Sequence, residues 1–202
     1  METAKNLVIW CLWFGVLAGF LPGEANAVPV QWSGNGHWYE AVHVPGGISW
    51  TDARAAAPSI LPGGYLASIN SEAENEFVFS LVDDDAYWFH DPGGGSFGPW
   101  LGGTDEVTEG MWQWVSGESW GYTNWQPGQP DDWAGSEDYL DFYVNSPTAR
   151  ASTWNDLADW PLWPITGITG YVVETVPEPS TILLVGLGAV CLGLRRRVSR
   201  QG

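Results

Sequence analysis

Between Trp100 and Asp156 the chain gathers oxygen-bearing side chains in small groups. Asp105 and Glu109 come first, then Gln129, Asp131 and Asp132, then Glu137 and Asp138, and last Asn155 and Asp156. Tryptophans, glycines and prolines separate the groups, which places them on loops rather than along one helix. The stretch holds no thiol and no imidazole. Carboxylates and amides without nitrogen or sulfur ligands suit a hard cation, and Ca²⁺ accepts roughly six to eight oxygens in irregular geometry. The expectation is a calcium site built on loops.

Composition narrows the partners. The chain has 202 residues and a formal net charge of −17. Lys5 stands near the start, Arg195, Arg196, Arg197 and Arg200 near the end, and only Arg54 and Arg150 between. Nucleic-acid binding requires clustered Lys and Arg, so it is excluded. His37, His43 and His90 are scattered and no His-Glu-x-x-His occurs, so no enzyme is expected. Fifteen tryptophans in this length must be mostly core.

The two ends read as addresses. Lys5, the apolar run Leu7 to Leu21 and Ala25-Asn26-Ala27 have the layout of a signal peptide over residues 1–27. At the other end, Val176-Pro177-Glu178-Pro179-Ser180 leads into the apolar run Thr181 to Leu194 and then Arg195-Arg196-Arg197. The run is short for a relaxed span and the arginines would stay cytoplasmic. Residues 176–202 resemble the PEP-CTERM sorting signal. That resemblance implies recognition by an exosortase, transient membrane anchoring, and delivery to the cell surface or an extracellular matrix. The stretch 28–175 is then the exported domain. It contains no cysteine, so its core or a metal must hold it.

The elements that position the oxygen cluster can be placed along this domain. Trp38 to Val44 reads as a strand ended by Pro45-Gly46-Gly47. Ser49 caps a helix through Ala57, stopped by Pro58. Tyr65 to Ile69 is a short strand. Ser71 and Glu74 form a capping box opening a second helix, with Ala73, Phe77, Leu81 and Val82 on its apolar face. Asp83, Asp84 and Asp85 mark its end and read as solvated. Asp91 to Pro99 is a loop, and Met111 to Val115, Leu140 to Val144 and Gly170 to Thr175 are strands. Helices early and strands late make an α+β domain with long loops.

Several fragments occur in the order found in C-type lectin domains. They are Ser49-Trp50-Thr51-Asp52-Ala53-Arg54, Tyr65 to Ile69, Trp100-Leu101-Gly102, Trp112-x-Trp114, Asn124-Trp125, Gln129-Pro130-Asp131, Glu137-Asp138, Trp154-Asn155-Asp156 and Tyr171 to Glu174. The resemblance implies the C-type lectin fold, with two helices, two small antiparallel sheets and a long calcium-binding loop. It implies that Gln129, Asp131, Glu137, Asn155 and Asp156 hold a principal calcium around a cis Pro130. Asp105, Glu109, Asp132 and Asp138 match an auxiliary calcium site. Trp125 and Trp154 match core supports.

The same resemblance implies glycan binding through Gln129, Asp131, Trp133, Glu137 and Asn155. Gln129-Pro130-Asp131 reverses the amide–carboxylate order of mannose-type relatives and resembles galactose-type sites. Trp133 follows as it does in galactose-binding receptors, where it could cover the apolar face of the sugar. The chain departs from the family at the usual disulfides: Ala57 and Val173 replace one pair, Tyr139 and Asp159 the other. Losing the second pair should loosen the calcium loop and give metal a larger share of its order. The alternative is a protein- or matrix-binding module of the same fold in which calcium is only structural.

Overall fold

The computed structural model describes residues 27–159 and 167–177. The expected signal peptide up to Asn26 and the sorting tail past Pro177 lie outside these residues. No helix among the described residues is long and apolar enough to cross a membrane.

The strands form two antiparallel groups. In one, β1 (Val30–Gln31) pairs with β2 (Trp38–Ile48), and β2 and β3 (Tyr65–Leu66) both pair with β9 (Ile168–Thr175). In the other, β5 (Ser96–Thr104) pairs with β4 (Phe89–His90), β6 (Gln113–Trp114) and β7 (Tyr139–Val144), and β7 pairs with β8 (Trp154–Leu157). One parallel pairing, Trp100 with Tyr171, joins the groups. Gly102 permits β5 to approach this junction: a Cβ there would stand 2.3 Å from the Leu66 carbonyl oxygen. Its N–H instead donates to Ala67 O at 2.8 Å.

Helix α1 (Trp50–Ile60) starts where expected, with Ser49 Oγ accepting from Asp52 N at 3.1 Å. It does not stop at Pro58. In the last turn the missing N–H forfeits a single bond, and the helix closes with Leu61 N donating to Ala57 O. Strand β2 likewise runs past Val44. Its ladder with β9 breaks between His43 and Ile48, so Pro45-Gly46-Gly47 makes an irregularity within the strand rather than its end. The expected loop Asp91 to Pro99 is in fact the turn of the β4–β5 hairpin and the first residues of β5. Strand Tyr65 to Ile69 shrinks to β3, and Met111 to Val115 to β6.

Helix α2 (Glu72–Ser80) shows where the apolar pattern misleads. Ser71 Oγ caps it, accepting from Glu74 N at 3.2 Å. The Glu74 carboxylate reaches back to Asn70 N at 2.7 Å, one residue beyond the cap. Ala73 faces solvent, while Glu74, Asn75 and Val78 are buried. The polar pair is buried because it is satisfied. Glu74 also accepts from Tyr39 Oη at 2.6 Å and from Asn35 Nδ2 at 2.8 Å. Asn75 accepts from Trp154 Nε1 at 2.8 Å and donates to Ser152 O at 2.9 Å. The aspartates after α2 are exposed, as expected, and Arg150 pairs with Asp83 and Asp85.

Trp154 is fully buried and ringed by Trp114, Trp120, Tyr122 and Trp125, with ring centroids 5.5 to 6.0 Å away. It begins β8, which carries Asn155 and Asp156. Asn75 therefore ties the second helix to the strand that presents the site. We expect Asn75→Ala to leave the buried indole N–H unpaired and to lower the unfolding free energy by about 2 kcal/mol. Urea unfolding of the full chain, followed by tryptophan fluorescence, measures it. A change below about 0.5 kcal/mol would mean that water satisfies the indole.

Candidate metal and ligand site

Three loop carboxylates converge on one point. One carboxylate oxygen each from Asp131, Glu137 and Asp156 lie within 4.8 Å of one another. Asp156 is placed by β8, opposite Leu140 in the register with β7. Its carboxylate accepts from Asp131 N at 3.0 Å and from Asp132 N at 2.7 Å. Glu137 accepts from Trp133 N at 2.9 Å, and its own N–H donates to Asp132 Oδ1 at 3.2 Å. The chain turns this tightly because Asp132 (φ 43) and Ala134 (φ 63) both adopt left-handed conformations. Gln129–Pro130 is cis, as the resemblance implied.

A second group forms beside the first. Asp105, Glu109 and Asp138 bring carboxylate oxygens within 4.8 Å of one another. Asp105 Oδ2 accepts from Gly110 N at 2.9 Å, closing the loop over residues 105–110. Asp132 is not among the three, and its Oδ1 accepts from Glu137 N.

The donor set fits a hard dication. Gln129 Oε1 and Asp105 Oδ1 are buried oxygens with no hydrogen-bond partner. Orphaned oxygens of that kind are costly unless something positive meets them. At 4.8 Å, with an effective dielectric constant of about 20, two ionised carboxylates repel by about 3.5 kcal/mol. Burial then pushes Glu137 up to about 8, with Asp156 and Asp131 adding to the shift. Asp156, Asp105 and Asp138 are also raised, burial being the largest cause in each.

Asn155 is buried in β8 next to Asp156, and its amide nitrogen donates to Asp141 Oδ1 and to the Asp156 carbonyl. Trp133 is 61% exposed and packs into no core cluster, while its peptide N–H holds Glu137. One residue went unread in the sequence. Asp141 is fully buried on β7, directly opposite Asn155. A strand pattern gives no reason to expect an acid there.

Two other constellations are structural. His37, Glu118 and Glu174 offer ligand atoms within 4.8 Å of one another. Glu174 is already met there by His37 Nδ1 at 2.5 Å, Tyr39 Oη at 3.0 Å and Ser68 N at 2.8 Å. Gly94-Gly95-Ser96-Phe97-Gly98 has Gly-x-Ser-x-Gly spacing. Ser96 Oγ does lie 2.6 Å from His90 Nδ1, and His90 Nε2 lies 3.5 Å from Asp85. The serine is fully buried on a strand, however, and its hydroxyl donates to Ser146 O at 2.7 Å, so it is no exposed nucleophile.

Known proteins resemble the chain in sequence and in fold. Residues 47–159 match the model of the Lectin C-type domain, and residues 175–197 match the PEP-CTERM protein-sorting motif. The chain is similar to the galactose-specific lectin nattectin of Thalassophryne nattereri, 34% identical over 117 residues, which are 58% of this chain and 67% of that protein. It is similar to a lectin of Pleurodeles waltl, 28% identical over 167 residues, 74% of this chain and 89% of that protein. Among solved structures it resembles the C-type lectin CEL-I from Cucumaria echinata. The TM-score is 0.56 at 27% identity, covering 75% of this chain and 99% of that one.

The raised carboxyls set a pH dependence. Glu137 stands at about 8 and Glu174 at about 7 in the folded chain, against 4.5 for an unperturbed glutamate. Between these values the folded state binds more protons than the unfolded state. Its stability is greatest below the unfolded value and is lost as pH rises through 7 and 8. In a chelator, the melting temperature should therefore be higher at about pH 5 than at about pH 8. A melting temperature that climbs over that range would refute the assignment.

Proposed function

The chain belongs to the C-type lectin domain family and ends in a PEP-CTERM sorting motif, and from that premise we propose that it is an exported, calcium-dependent, galactose-type glycan-binding module. The observation that carries the calcium reading is the meeting of Asp131, Glu137 and Asp156 beside the orphaned Gln129 Oε1. Gln129, Asp131, Glu137, Asn155 and Asp156 would hold the principal ion, and Asp105, Glu109, Asp132 and Asp138 the auxiliary one. When bound, calcium supplies open coordination positions for two adjacent sugar hydroxyls.

The chain's own residues select the sugar. The Gln129 amide offers N–H donors on one side of Pro130, and the Asp131 carboxylate offers only acceptors on the other. That order favours a hydroxyl pair presented as in galactose. Nattectin, a galactose-specific lectin by name, supports this reading. The exposed indole of Trp133 is free to cover the apolar face of such a ring. A single shallow site binds weakly, so avidity comes from repetition on a surface or matrix. The sorting motif supplies that setting, through exosortase processing after a signal peptide over residues 1–27 and transient anchoring in the inner membrane.

Calcium should stabilise the protein. An ion that binds only the folded state adds about 2.7 kcal/mol at a hundredfold excess over its dissociation constant. Thermal melts in EDTA and at about 10 mM calcium, above the range of extracellular sites, measure the shift. Asp131→Ala should remove most of it, and an unmoved melting temperature in the parent would sink the reading.

Sugar preference is tested by competition. Galactose or N-acetylgalactosamine should displace a bound glycan better than mannose does, and EDTA should abolish binding. Trp133→Ala should cost about 1 kcal/mol of galactose affinity, roughly a fivefold loss, for about 40 Å² of apolar cover. Equal displacement by mannose would show that Gln129 and Asp131 do not set the choice.

A further inference from the structure

Asp141 is an expensive residue where it stands. Its side chain is fully buried, and Oδ2 has no hydrogen-bond partner. A buried acid with an unmet oxygen lowers stability, and a leucine of similar size would avoid that cost. The β5–β7–β8 ladder bonds are made by backbone groups, and the ladder meets the Asp141 carboxyl only through the backbone of Gly98 in β5. The one polar side chain that Asp141 touches is Asn155, which faces it in the register between β7 and β8. Asp141 Oδ1 accepts from Asn155 Nδ2 at 3.3 Å. The same amide nitrogen also donates to the Asp156 carbonyl.

Both contacts engage the nitrogen end of the Asn155 amide. Among the described residues no donor reaches its carbonyl oxygen. A free asparagine presents either end with nearly the same shape. The Asp141 oxygen turned toward Asn155 accepts from the amide nitrogen, so it selects that end. We propose that Asp141 is a positioning residue for the principal ion site: it holds the Asn155 nitrogen inward and so keeps the amide oxygen free for the cation. This rests on the calcium reading above. Partners that fix the orientation of a ligating side chain typically carry about 10- to 100-fold in metal affinity.

The test compares Asp141→Leu, Asp141→Asn, Asn155→Ala and the Asp141→Leu/Asn155→Ala pair in the full chain. Calcium affinity is read by titration calorimetry, and stability by melting in EDTA. Asp141→Leu should weaken calcium binding about tenfold or more while its melting temperature in EDTA stays level or rises. A residue that merely supported the fold would lower both. Asp141→Asn keeps an acceptor oxygen and should remain within about threefold of the parent. On the Asn155→Ala background, Asp141→Leu should add less than about twofold, since it acts through that amide. Should the leucine variant not fold, Asp141→Val takes its place with the same expectation, because it too removes the acceptor.

The proposal is overturned if Asp141→Leu binds calcium like the parent. It is also overturned if Asp141→Asn loses as much as Asp141→Leu, which would assign the effect to charge, or if the loss persists in full without Asn155. Absence of calcium binding by the parent overturns the calcium reading and this inference with it. A parent that binds beside an unaffected leucine variant overturns this inference alone.

Discussion

The structure depends on how it manages like charges brought together. Asp131, Glu137 and Asp156 meet at one point and Asp105, Glu109 and Asp138 at another. No lysine or arginine lies in the sequence between Arg54 and Arg150 to offset them. The answer is backbone. Asp131 N, Asp132 N, Trp133 N and Gly110 N all donate to these carboxylates. The loops are wound around their own acids, and their shape is the shape of the donor set. Left-handed backbone at Asp132 and Ala134 is the local strain that this winding requires. Amide dipoles alone leave oxygens unmet at Gln129 and Asp105, and those are the places a cation would fill.

The second constraint is the absence of cysteine between residues 28 and 175. Each position where the family places a crosslink has been refilled by other chemistry. Ala57 and Val173 are both fully buried in one apolar cluster. At the other position, Tyr139 packs against Trp50 with ring centroids 4.4 Å apart. Asp159 accepts from Thr51 N at 2.9 Å and Thr51 Oγ1 at 2.7 Å, tying the end of the long loop region to the start of the first helix. The tryptophans around Trp154 supply the bulk beneath the site, where aromatic pairs add about 0.5–1.5 kcal/mol each beyond their area. The expectation of a loosened loop therefore meets a set of contacts that partly compensate.

What the sequence discloses follows from the range of the interactions involved. Ser49 and Ser71 are legible as caps because a cap is a local bond between residues three apart. The ordered fragments from Trp50 to Glu174 disclose the fold because each serves a distinct packing need. The buried face of the second helix is legible only in part: Phe77, Leu81 and Val82 join the core as expected, whereas Ala73 is exposed. Glu74 and Asn75 are polar, and their burial depends on Tyr39, Asn35 and Trp154, all distant in the chain. Strand β8 escapes notice since only four residues of it pair and the middle two, Asn155 and Asp156, are polar. Asp141 escapes for the same reason. Its meaning appears only when register sets it opposite Asn155.

These two constraints bear on each other. The principal carboxylates come from the loop after Pro130, from Glu137 and from β8, and the neighbouring group comes from the end of β5 and from Asp138. A cation in each would join the same segments that a crosslink near Tyr139 and Asp159 would otherwise restrain. A crosslink acts chiefly on the unfolded chain and is permanent. A cation acts only on the folded chain, in proportion to its concentration. The acidic loops therefore exchange constant stability for stability conditional on the surroundings. Burial, with the neighbouring carboxylates, raises these carboxyls above their ordinary range, so low pH also relieves their repulsion. Under the proposed calcium reading the loops would be firm where calcium is plentiful and looser where it is scarce, and the protein-sorting motif over residues 175–197 would decide which surroundings the domain meets.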